Sequence, residues 1–323
     1  MTPRGVFRIL DAHHTDAHNA HREVAPQDLI VGLSISGGGI QAVELDRSGP
    51  TTTLLAIDAW ENTLTGGGAD GKGEGLREFH MHFAKFVREN RVRASRMSIA
   101  LDTGLLFLNS MPIDQGLTRS EINDHVKWEL SQYFPDIDTA DFITDVHILT
   151  EHANDPFNEA LSVSVRRGDA LAIQKAATGA GMSLDIVDAD HFAADTALRI
   201  NYPDTYRKYI ALVGVKETRL DISLMRNGSL ESYRYLIVQS NQEIIQGIAA
   251  LARKTPGIYS MTVYGPYLDR DLLTQIRRGS PILVEALNPL RHVNVAEALR
   301  LADHLTVPSY RFAAAVGVAL RRD

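Results

Sequence analysis

The sequence predicts an α/β, two-lobed duplicated fold with a small inserted α+β subdomain. Three observations lead there. A strand–turn–strand–turn–strand meander occurs near the start of the chain and again after its midpoint, as a duplication requires. Amphipathic helices and short apolar runs follow each meander. Between them lies a β-rich stretch holding one strongly signalled helix.

The first meander opens with Leu29 to Ile35, a continuous apolar run that reads as a buried strand. Ser36-Gly37-Gly38-Gly39 reads as a tight turn, because glycines without Cβ let the backbone bend sharply and approach another group. Ile40 to Leu45 reads as the return strand, and Thr51 to Ala59 as the third. Glu61 to Gly75 holds several glycines but no Lys-Ser/Thr pair, so it reads as a loop and not a phosphate loop. Leu76, Phe79, Phe83, Phe86 and Val87 recur at helical spacing and predict a core-facing helix over 76–90.

Met97 to Leu108 reads as two strands around an Asp102-Thr103-Gly104 turn. Pro112 then reads as part of a link. Thr118 and Glu121 form a capping box, hydroxyl and carboxylate each satisfying first-turn amides, and Pro135 stops the helix that they start. Trp128 and Tyr133 on that helix read first as core aromatics and second as partner contacts. Asp141–Thr150 and Glu159–Arg166 read as strands joined at Asn154-Asp155-Pro156. A helix over 169–181, a strand over 183–187 and a helix over 188–198, capped by Asp188, complete this half.

The second meander comprises Ile210–Val215, Leu220–Arg226 and Ser229–Ile237, with Asn227-Gly228 as a strong hairpin signal. Ser240 and Glu243 suggest another capping box. A strand over 258–264, a helix over 268–278 and an alanine-rich helix over 309–320 follow. That last helix has small residues, as close packing on another backbone requires.

Composition narrows the function classes. With 323 residues and 44 % hydrophobic side chains, the chain can bury a large core. A net charge of −7 argues against nucleic acid or an anionic membrane surface as the main partner. The absence of cysteine excludes disulfides and thiolate metal sites. No apolar run approaches the roughly 20 residues that span a bilayer, and no apolar leader is present at the start, so a cytoplasmic protein without direct membrane insertion is expected. His14, His18 and His21 would share one helix face, but residues 1–28 read as a flexible leader and not as a metal site.

Three blocks carry a family resemblance. Gly32-Leu33, Ile35 and Ala42-Val43-Glu44-Leu45, then Pro112, Trp128-Glu129 and Tyr133-Phe134-Pro135, then the alanine-rich end resemble the type IV pilus assembly protein PilM family. That family is a branch of the actin-like ATPases related to the cell-division protein FtsA. The resemblance implies an actin-like (ribonuclease H-like) fold. It divides the chain into a first lobe of 29–110 and 185–205, an insertion of 111–184 and a second lobe of 206–323.

It also implies a nucleotide pocket built from Ser34, Ser36, Gly37, Gly38, Gly39, Lys216, Glu217, Thr218, Asp221 and Gly265. Where the family carries chemistry, however, this chain departs from it. Ser34 replaces an aspartate, Gln41 a lysine, Gly214 a second aspartate and Lys216 a glycine, while a glycine run shrinks to Gly265 beside Pro266. Carboxylates that position Mg²⁺ or water supply several kcal/mol of positioning, so their loss implies a degenerate pocket with neither ATP nor Mg²⁺ as a working cofactor and no catalytic residue. The resemblance therefore implies a scaffold that binds the cytoplasmic tail of a PilN-like inner-membrane protein, with Trp128, Tyr133 and Phe134 as its partner contacts. Self-association or contact with an assembly motor is a further implied role. An ATP-binding filament former of the FtsA kind is the alternative, and ATP with Mg²⁺ would then be its cofactor.

Overall fold

A computed structural model of the chain describes residues 28–37, 39–61, 72–149, 157–300 and 307–322. The leader histidines, Gly38, most of the glycine-rich 61–75 loop and the Asn154-Asp155-Pro156 turn lie outside the described residues.

In chain order the elements are β1 (Leu29–Ser36), β2 (Gly39–Asp46), β3 (Thr53–Trp60), α1 (Lys72–Asn90), β4 (Arg96–Leu101), β5 (Phe107–Asp114), α2 (Arg119–Tyr133), β6 (Phe142–Ile148), β7 (Phe157–Arg166), α3 (Arg167–Gly179), β8 (Ser183–Ala189) and α4 (Asp190–Asn201). They continue as β9 (Tyr209–Val215), β10 (Arg219–Arg226), β11 (Ser229–Ile237), α5 (Asn241–Lys254), β12 (Ser260–Tyr264), α6 (Arg270–Gly279), β13 (Leu283–Ala286), β14 (Asn294–Val295), α7 (Glu297–Arg300) and α8 (Ala313–Leu320).

The duplication is visible in strand order. The first sheet runs β14-β3-β2-β1-β4-β8 and the second β11-β10-β9-β12-β13. In each, an antiparallel three-strand meander is extended by parallel strands next to its first member. β1 is buried along its whole length because both faces of its sheet are covered. Val31, Leu33 and Ile35 pack in the cluster that holds Phe79, Phe83 and Phe86 of α1, whereas Ile30 packs with Val316 and Leu320 of α8.

α8 is where small side chains decide the packing. A Cβ on Gly32 would lie 2.2 Å from the Ala315 carbonyl oxygen, and one on Gly317 would lie 1.8 Å from that of Ala193. The helix is therefore clasped between β1 and α4, so the chain returns at its end to the first sheet. Arg321 follows it and pairs with Asp188 in a fully buried ion pair. Asp188 thus lies within β8 and does not cap α4, whose N-cap is Ala189, without a side-chain cap. The arginine claims its carboxylate from across the fold.

A third sheet, β5-β7-β6, forms the insertion with α2 against it. The Thr118–Glu121 capping box forms as read. Ser240 caps α5 through Glu243 N, but the Glu243 carboxylate accepts from Gln239 N instead. Pro112 lies inside β5 and not in a link. It is tolerated because β5 is an edge strand that pairs only with β7, so the missing N–H breaks no ladder.

Candidate functional site

The turns that join the first two strands of each sheet face one another across a cleft of about 390 Å³. Ser36, Gly37, Glu217, Thr218, Tyr267 and Arg311 line it. On the first side, the Ser36 hydroxyl donates to the Gly39 carbonyl at 3.0 Å and tightens the turn. Gly39 has φ +143, and a Cβ there would meet the Trp60 carbonyl oxygen at 2.9 Å. Ser34 is buried within β1, opposite Gln41. On the other side Gly265, at φ +136, follows β12 so close to β9 that a Cβ would sit 2.2 Å from the Val215 carbonyl oxygen.

The floor of the cleft is a cage of carboxylates with an ammonium at its centre. Lys216 Nζ lies 2.7 Å from Asp102 Oδ1, 2.9 Å from Asp190 Oδ2 and 3.0 Å from Asp221 Oδ2. It also donates to Thr103 Oγ1, which in turn donates to Asp221 Oδ2 at 2.7 Å. Asp221 Oδ1 accepts from Arg219 Nε at 2.8 Å and from the Tyr233 hydroxyl at 2.6 Å. Lys216 is thus a buried side chain, not the solvated surface lysine that its turn position suggests. The fold draws it inward because β9 ends against the carboxyl ends of β4 and β8.

Electrostatics follow from this count of charges. Three carboxylates face two cations, Lys216 and Arg219, and none of the five is well hydrated. Burial, opposed by Lys216 and reinforced by the neighbouring Asp102 and Asp221 charges, pushes the Asp190 carboxyl up to about 7. Burial alone would raise Asp221 too. Lys216, Arg219 and the Tyr233 hydrogen bond instead hold it well below the usual carboxylate range. Burial opposes the charge on Lys216, but the three carboxylates outweigh it and keep the ammonium protonated.

Behind the cage lies a second polar layer. His191 sits between the Tyr264 hydroxyl and Ser223 Oγ, each 2.9 Å from a ring nitrogen. Its burial pulls its pKa down to about 4, so the ring is neutral. A Cβ on Gly214 would lie 2.8 Å from the Tyr264 hydroxyl and 3.3 Å from His191 Nδ1. The glycine is required because the tyrosine already fills the space that an aspartate side chain would need.

These observations bear on whether a divalent ion fits. The point equidistant from the three carboxylates is taken by Lys216 Nζ at hydrogen-bond distance. Among the described residues, no set of three or more His, Cys, Asp or Glu side chains is arranged to hold a metal ion.

Several site residues escaped the sequence reading. Asp102 and Thr103 looked like turn residues, and Asp190 and His191 like a helix start. One signal was available: both pairs directly follow apolar strands, and in parallel sheets ligand sites lie at the carboxyl ends of strands. Two expectations for the insertion also change. Trp128 is 57 % and Tyr133 55 % exposed, so neither is core. The face of α2 toward its sheet is filled by Val126 and Leu130, which leaves no room for them. Phe134 is partly buried against that cluster, edge-on to Phe107 and tilted against Phe142.

The sequence model of the family described as type IV pilus assembly protein PilM matches residues 32–237. The chain belongs to the PilM family. A solved PilM-PilN type IV pilus biogenesis complex superposes with a TM-score of 0.73 at 17 % identity, covering 90 % of this chain and 97 % of the other. A Bacteroides thetaiotaomicron protein of unknown function with an actin-like ATPase fold gives 0.53 at 11 % identity, covering 83 % and 93 %. No curated protein matches the sequence. The PilM-family chain therefore has the actin-like ATPase fold, and among its described residues no helix is long and apolar enough to cross a membrane.

Proposed function

We propose that this PilM-family protein is a scaffold of type IV pilus assembly that binds the tail of a PilN-like membrane protein and does not turn over ATP. One observation supports the non-catalytic part above all others. Lys216 holds the centre of a carboxylate cage at the cleft floor, where a metal ion would have to stand. Displacing it would strand a buried ammonium or pull three carboxylates apart. The three cage carboxylates, Asp102, Asp190 and Asp221, are each held by Lys216 and position one another.

The partner part rests on family membership and on the solved PilM-PilN complex. Recruitment by such a tail would place the protein at the cytoplasmic face of the inner membrane. Trp128 and Tyr133 are the proposed contacts, since large exposed aromatics are frequent interface anchors. Tyr133 lines a second groove of about 330 Å³ with Phe107 and Tyr235. By sheet membership, we propose an insertion of 107–166, with 294–295 and 313–320 rejoining the first lobe.

The test is isothermal titration of a synthetic tail peptide into the purified chain, with and without Mg-ATP, beside a phosphate-release assay. Equal affinity in both conditions and no release above background is the expected result. Affinity that depends on Mg-ATP, or steady phosphate release, would overturn the reading.

A further inference from the structure

We infer that Lys216 is an interlobe latch, a covalently attached cation that holds the two lobes in one closed arrangement without any diffusible ligand. The lysine is carried at the end of β9 in the second sheet. Asp102, Thr103 and Asp190 belong to the carboxyl ends of β4 and β8 in the first. Three of its four oxygen partners therefore lie across the cleft, and the fourth, Asp221, steadies it from its own side.

Direction and strength both follow from the coordination. An ammonium has three protons to donate, and here every one has an acceptor within reach. Opening the cleft would rehydrate the lysine and the carboxylates, which offsets part of the attraction that is lost. The latch therefore draws its effect from complete and directional coordination, which only one relative position of the lobes satisfies. A second crossing layer reinforces it. His191 starts α4 on the first side and lies between Ser223 and Tyr264 on the second. Gly214 admits that contact by having no side chain. Apolar contacts cross between the lobes as well, Phe192 against Tyr233 among them, and above this floor the cleft stays open.

The latch does not depend on the partner reading. A PilN-like tail could bind a chain with or without it, and the two ideas fail separately. Because the chain has no cysteine, spin labels can be placed cleanly. Lys85 on α1 and Gln242 on α5 are exposed, one on each lobe, and would be replaced as Lys85→Cys and Gln242→Cys. Double electron–electron resonance on the labelled full chain should give one narrow distance distribution, unchanged by saturating Mg-ATP. Adding Lys216→Met should broaden it and create a second, longer population. A folded Lys216→Met chain that keeps the narrow distribution would overturn the inference, as would a parent distribution that shifts with Mg-ATP. If Lys216→Met loses its cooperative melt, Asp102→Asn at the solvent edge of the cage replaces it. A smaller broadening is then expected, and no broadening would overturn the latch equally.

Discussion

The two facing turns occupy equivalent places in duplicated sheets, yet only one of them is filled. The turn between β1 and β2 has small side chains, and Gly37 has nothing within 4 Å of where a Cβ would stand. The turn between β9 and β10 sends Lys216 inward to four oxygen partners and Arg219 to a fifth contact on Asp221. The same backbone plan thus gives an open wall on one side and a plugged floor on the other. Duplication conserves the ladder that hydrogen bonds dictate. It leaves the turn residues free to diverge, because no ladder bond passes through their side chains.

That contrast can be broken most forcefully at the plug. Lys216→Met should cost about 3 kcal/mol or more, since removing one partner leaves buried carboxylates uncompensated. Urea denaturation followed by circular dichroism measures it, and a loss below about 1 kcal/mol would show that the cage relaxes by simple hydration. Gly214→Ala comes next. Its methyl group would collide with the Tyr264 hydroxyl at 2.8 Å and the ring carbon at 3.0 Å, so about 1–3 kcal/mol of overpacking is expected. Adding Tyr264→Phe to it should recover part of that loss if the hydroxyl is the obstacle.

The pH dependence sharpens the comparison further. Asp190 has a folded pKa raised from 3.8 to about 7, so the folded state binds its proton more tightly than the unfolded chain does. Its favourable contribution is full below about pH 4 and declines as pH rises to about 7. Measured against Asp190→Asn, the parent should lose relative stability across that window. His191 acts oppositely, because its pKa falls from 6.5 to about 4 and stability from its neutral form grows as pH rises over that range. Only the difference between parent and variant isolates the carboxyl group.

The open turn gives the smallest effect. Gly37→Ala should stay within about 0.5 kcal/mol of the parent, since the site is exposed and unobstructed. Trp128→Ala should be as mild in thermal melts, being largely exposed, while weakening capture of a PilN-like tail. A marked drop in its melting temperature would return that tryptophan to a structural role.

Much of this molecule was legible in its residues. Alternation, turn chemistry and caps located both meanders, the Asn227-Gly228 hairpin, the Thr118–Glu121 box and α8. These are local signals whose physics acts over a few residues. The departures arose where a partner came from far along the chain. Asp188 read as a helix cap until Arg321, 133 residues later, took its carboxylate. Pro112 read as a link because sequence does not say that β5 is an edge.

The sequence by itself determined most of the strands and helices, the repeated plan and the replacement of family carboxylates by Ser34 and Gly214. Tertiary structure alone decided that Lys216 turns inward, that Asp102 and Asp190 meet it, and that Trp128 and Tyr133 face solvent. The physical reason is range. Backbone propensity and amphipathic period are set by neighbours within a turn or two, whereas a buried charge is defined by whichever opposite charge the folded chain brings within about 3 Å of it.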